Sequence, residues 1–130
     1  MLTIRREQFR AVGEAMQRRF ELQSVARLRA AFPGQTREAS DERLLDLIRT
    51  GIGKAAGYGI TTEADVTRYL EYVILYGRDF DSKLDWAAKI LQTEGIGGGR
   101  KMDLIDEYNL FMMRPEPSRG SPQKLDPSLD

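Results

Sequence analysis

A chain of 130 residues, 41% hydrophobic and 31% charged, has the length of one domain and the composition of an ordinary globular protein. It holds no cysteine and no histidine. This excludes disulfides, thiolate zinc sites and cysteine nucleophiles, and removes the commonest general base and transition-metal ligand. Lys plus Arg equals Asp plus Glu at 20 each, and a net charge of zero argues against a dedicated nucleic-acid binder, which carries a basic excess.

The charge is unevenly spread. Residues 1–40 hold eight Arg and four Glu, a net of +4, so the remainder carries −4. Such polarity steers an acidic partner toward the first helix. The competing reading is a solvated helix face whose Arg side chains pair with Glu. No run of about 18 apolar residues is present, so no transmembrane helix is expected. Charges interrupt residues 1–10 too often for a secretory signal. The expected location is the cytoplasm, with no membrane partner.

Thr3 is the expected N-cap of a first helix running to about Phe32. Phe9, Val12, Met16 and Phe20 recur at helical spacing, and Val25, Leu28 and Phe32 continue the stripe after a one-residue shift. At 1.5 Å per residue such a helix is about 40 Å long, more than the width of so small a domain. It must therefore bend near Gln23-Ser24 or project beyond its neighbours. Pro33-Gly34 closes it.

Ser40, followed by Asp41 and Glu42, starts a second helix with apolar face Leu44, Leu45, Ile48, Ile52 and Ala55, ending at Gly57-Tyr58-Gly59. Thr62 caps a third, with Glu63 and Asp65 in its first turn and Val66, Tyr69, Leu70 and Val73 at i, i+3, i+4, i+7. This periodicity favours helix over strand despite the β-branched and aromatic content, and Gly77 is the C-cap candidate. Asp81 or Ser82 caps a shorter fourth helix containing Leu84, Trp86, Ala87, Ile90 and Leu91. The run 95–99 reads as a flexible connection to a fifth helix, about Arg100 to Met113, which has apolar residues on more than one face. From Pro115 there are four prolines in 13 residues, a composition that predicts disorder. The expected architecture is all-α: an irregular bundle of about five helices over 1–113, with a long N-terminal helix, followed by a disordered tail at 114–130.

Chemical motifs are incomplete. Gly51-Ile-Gly-Lys54 has part of a phosphate loop, but Ile48 and Ala55 occupy the positions of the first Gly and of the magnesium-binding hydroxyl. Asp79-Phe-Asp-Ser-Lys-Leu-Asp85 is the densest carboxylate cluster, yet it lacks the Gly and Glu of an EF-hand. Helix capping by Asp81 and Ser82, with Phe80 as a core anchor, is the simpler reading. Ser82 and Lys83 are adjacent and point about 100° apart on a helix, unsuited to a Ser–Lys pair. No catalytic residue, cofactor or metal is expected. The Tyr69–Trp86 aromatics read mainly as core, whereas Tyr58, between two glycines, is the aromatic expected to be exposed.

Leu2-Thr-Ile-Arg-Arg-Glu-Gln8, Phe32-Pro33, Gly59-Ile-Thr and Tyr76-Gly-Arg-Asp-Phe-Asp81 before Trp86-Ala87 are distinctive as text. Across about residues 2–112 the chain resembles small helical bacterial proteins encoded beside type VI secretion and related toxin-delivery genes. The resemblance implies an accessory role, either adaptor or chaperone for a secreted effector, or immunity protein. It supplies no catalytic residues. The missing catalytic side chains, long first helix and apolar fifth helix point the same way. The expected function is a non-catalytic protein-binding factor for a secreted toxin or effector, with neutrality favouring adaptor over immunity. The expected partner-binding residues are Arg5, Arg6, Arg10, Arg18 and Arg19 on the first helix, with Tyr58, Tyr108, Phe111 and Met112. A helix-turn-helix DNA-binding regulator is the remaining alternative, but Glu63, Asp65 and Glu71 against a single Arg68 on the third helix would repel phosphate. The sequence leaves the oligomeric state open.

Overall fold

The computed structural model describes residues 6–113, with side chains from residue 13 to residue 112. Thr3 and the segment 114–130 lie outside the described residues. The fold is all-α: α1 (Arg6–Ala31), α2 (Pro33–Thr36), α3 (Asp41–Gly57), α4 (Glu63–Tyr76), α5 (Phe80–Lys83), α6 (Asp85–Leu91) and α7 (Gly98–Tyr108), followed by a π-helical turn, Asn109–Met113. Five of these helices have seven residues or more, and α2 and α5 are single turns.

Side chains cap the starts of α3 and α4. Ser40 Oγ accepts from the Arg43 N–H and Thr62 Oγ1 from the Asp65 N–H, each satisfying a free donor in a first turn. Helix α3 ends where Gly59 takes a positive φ of 83° and the Ile60 N–H turns back to the Ala55 carbonyl. That reversal buries Ile60. Gly77, with φ 105°, ends α4 as its position predicts.

Helix α4 is the centre of the bundle, packing against α1, α2, α3, α5 and α7. Val66, Tyr69, Leu70, Tyr72 and Val73 are buried on it, so the β-branched run is helical. Gly51 is buried where α3 meets Leu70 of α4, and its lack of a side chain lets the helices approach. Of the glycines in the partial phosphate loop, Gly51 therefore serves packing, whereas Gly53 is exposed.

Helix α1 runs without a break through Gln23-Ser24 over 26 residues. It projects. Gly13 to Arg19 are all exposed, and among the described residues the core first takes an α1 side chain at Phe20, followed by Val25 and Leu28. Arg29 pins the turn that follows by donating to the carbonyls of Thr36 and Ala39 and to Asp41.

Two expectations are corrected. The fourth helix is divided: Leu84 is extended (φ −96°, ψ 113°), separating α5 from α6. Phe80 is buried between Tyr69 and Tyr72, and that anchor fixes α5 apart from the helix that follows. The stretch 95–99 is not simply a flexible connection either. Gly98 and Gly99 lie in the first turn of α7, and Gly98 is pressed against the Gly59 carbonyl and Ile60, where a Cβ would stand 2.7 Å from Ile60 Cα.

Candidate protein-binding surface

The expected partner-binding residues fall in three places. Arg5 lies outside the described residues; Arg6 and Arg10 belong to α1, but their side chains lie outside the described set. Arg18 and Arg19 are exposed on the projecting part of α1 and, among the described residues, neither takes part in an ion pair. Beside them Met16 is 51% exposed. Met16 and Phe20 line a shallow pocket of about 150 Å³ with Ile52 and Val66, where α1 leaves the body. The ion pair on this part of α1 is made by an arginine from another helix: Arg49 of α3 meets the buried Glu21 at 3.0 Å, and Gln17 donates to the same carboxylate.

Tyr108 ends α7, and Phe111 and Met112 lie in the π-helical turn that follows it. Tyr108 stacks on Trp86 with ring centroids 4.7 Å apart, and Trp86 meets Tyr76 edge-on at 6.2 Å. The Tyr76 hydroxyl donates to Asn109, holding the start of the π-helical turn. Beyond it Phe111 is 75% and Met112 67% exposed. π-Helical turns recur at functional sites, and here the turn delivers two large apolar side chains to the surface.

Tyr58 is a correction. Expected to be exposed, it is half-buried, and its hydroxyl donates to Asp81 at 2.7 Å. Burial, and then the Asp81 carboxylate, pushes the phenol up to about 12. Lys54 of α3 donates to Asp79 at 2.9 Å and to Asp81 at 3.2 Å. Burial pulls the Lys54 ammonium down, but these two carboxylates outweigh it and hold it above its usual range. In return, the hydrogen bond from Lys54 holds Asp79 below the usual carboxylate range. Lys101 of α7, itself buried, donates to the Tyr58 carbonyl. Thus Asp81 is not the solvated cap that local sequence suggests. It is a buried acceptor tying α3 to α5, and Asp79 makes no side-chain cap bond.

A second polar cluster was not foreseen. Arg68 of α4 reaches Asp65 at 2.9 Å and Asp103 and Asp106 of α7 at 2.7 Å each. Tyr72 donates to Asp106 at 2.6 Å. Burial lowers Arg68, but the three carboxylates prevail and raise it; burial raises Tyr72 and Glu71. The spacing Arg68-x-x-x-Tyr72 puts both donors on one helix face, which was the available signal. Among the described residues, no group of three or more acidic side chains is arranged to hold a metal ion. The carboxylates that converge do so on Arg68 and Lys54. No described helix is long and apolar enough to cross a membrane.

The comparisons found no family model, no curated protein and no solved structure that matches this chain.

Proposed function

We propose that this chain is a protein-binding accessory factor, an adaptor or chaperone for a secreted bacterial toxin or effector. The observation that carries the binding role is the projecting part of α1. It is helix outside the core, with Met16 exposed and Arg18 and Arg19 without ion-pair partners among the described residues. Helices stand mainly on tertiary packing of an apolar face, so a helix presented in this way fits a role in holding another chain. The basic excess of residues 1–40 favours an acidic surface on that chain. The secretion setting rests on the resemblance carried by residues such as Tyr76-Gly-Arg-Asp-Phe-Asp81.

The test is co-purification of the tagged full chain with the products of its neighbouring genes. One of them is expected to be retained, and Arg18→Glu/Arg19→Glu is expected to weaken its capture about tenfold or more. Retention of none of them overturns the reading. In cells that express the toxin, an adaptor changes export and leaves survival unaltered; rescue of survival would replace the adaptor role with immunity.

A further inference from the structure

Asp85, Trp86, Lys89 and Ile90 of α6 and Tyr108 of α7 line an open groove of about 410 Å³. Within it Trp86 and Tyr108 stack almost parallel, at 9°, and both rings are only half-buried. A wall of flat aromatic surface suits proline rings. Proline-rich segments reach such grooves already extended, so docking costs them little conformational entropy.

The chain carries a segment of that kind a short distance away. Pro115-Glu-Pro-Ser-Arg119 follows the π-helical turn and lies outside the described residues. A residue that precedes proline is biased to extended backbone, so Arg114 and Glu116 both favour polyproline II. Arg114 is six residues beyond Tyr108, and covalent geometry keeps it within about 22 Å of that groove residue. Three further residues to Pro117 span about 9 Å in polyproline II. A tether this short gives the segment an effective concentration on the order of millimolar at the groove.

The charges match in kind and in order. Asp85 and Lys89 are both exposed, and among the described residues neither takes part in an ion pair. Four residues apart on α6, they are separated by about 6 Å along the axis. Glu116 and Arg119 are three residues apart. In polyproline II that is one full turn, so they share an edge about 9 Å apart. The long Lys and Arg side chains span the difference. A segment running antiparallel to α6 sets Glu116 against Lys89 and Arg119 against Asp85; the opposite direction sets like charges together.

We propose that residues 115–119 dock in the groove of their own chain, with Pro117 on the Trp86–Tyr108 pair, Glu116 on Lys89 and Arg119 on Asp85. The docking is independent of the role assigned to α1. A proline-rich segment of another protein would have to displace it.

A contact-quenching measurement on the full chain tests it. Trp86 is the only tryptophan and the chain has no cysteine, so a bimane attached at Ser118→Cys reports contact with Trp86 alone. The bimane is expected to be quenched, and equally so at every protein concentration. Lys89→Glu, at an exposed position, is expected to lower the ratio of docked to free segment about threefold. Lys89→Glu/Glu116→Lys is expected to restore it. Pro115→Gly/Pro117→Gly is expected to abolish the quenching while the helical spectrum stays unchanged. Four results overturn the proposal: an unquenched bimane in the labelled chain, quenching that dilution relieves (which would place the segment on a second copy), quenching indifferent to Lys89→Glu, or quenching that survives removal of the two prolines.

Discussion

The Tyr58 hydroxyl donates a 2.7 Å hydrogen bond to Asp81, whose side chain is only 7% exposed. Tyr58 closes α3 and Asp81 belongs to α5, so the bond holds together segments 23 residues apart. Asp81→Ala removes an acceptor from both Tyr58 and Lys54. Because Lys54 keeps Asp79 and some access to water, the expected loss is about 2 kcal/mol. Tyr58→Phe, which removes one donor, is expected to cost about 1 kcal/mol. Urea unfolding followed by circular dichroism measures both, and equal midpoints for Asp81→Ala and wild type would show the bond to be inert.

The same residue gives the protein an alkaline limit. Below pH 10, the ordinary tyrosine value, Tyr58 is neutral whether the chain is folded or not, and its contribution is complete. Above it the unfolded chain releases the proton while the folded chain keeps it to about 12. Stability therefore falls as pH rises through that window. Tyr69 and Tyr72, raised mainly by burial, act in the same direction. Urea midpoints measured on either side of pH 10 are expected to fall, and to fall less steeply in Tyr58→Phe.

Two glycines separate close approach from helix propensity. Gly98→Ala puts a methyl group against the Gly59 carbonyl and Ile60 backbone, which cannot move aside as a flexible side chain would. The expected cost is about 2 kcal/mol. Gly53→Ala, within α3 with nothing within 4 Å of the new Cβ, is expected to stabilise by about 0.5–1 kcal/mol. Thermal midpoints moving in opposite directions are the result to look for.

Arg68→Met leaves Asp65, Asp103 and Asp106 facing one another without their shared cation. The Arg68 side chain is 29% exposed, so solvent weakens each pair, and the expected loss is about 1–2 kcal/mol. Added salt screens the remaining carboxylates, so the gap from wild type should narrow as ionic strength rises.

The parts legible in the sequence are those written locally. Ser40 and Thr62 mark helix starts because a cap and its target lie three residues apart. Val66–Val73 shows its helix by periodicity, and Gly77 its end. What escaped depends on distant partners. Asp81 looks like a cap until Lys54, 27 residues earlier, and Tyr58 are brought to it. Gly98 looks like a linker residue until Gly59 lies against it. Length alone established that α1 must bend or project; only its packing decides that it projects. Exposed Phe111 and Met112 were legible as surplus apolar surface, but the stacking of Trp86 on Tyr108 was not, because it joins two helices.

The Arg18-Arg19 pair stands on exposed helix just ahead of Phe20, the first α1 side chain packed on the core among the described residues. Brief trypsin digestion should therefore clip the chain there and release the arm, leaving a trimmed bundle that still melts cooperatively. The side chains that reach outward and those that sustain the fold occupy different stretches of one helix. The outward stretch is accordingly free to change in sequence without eroding the domain behind it.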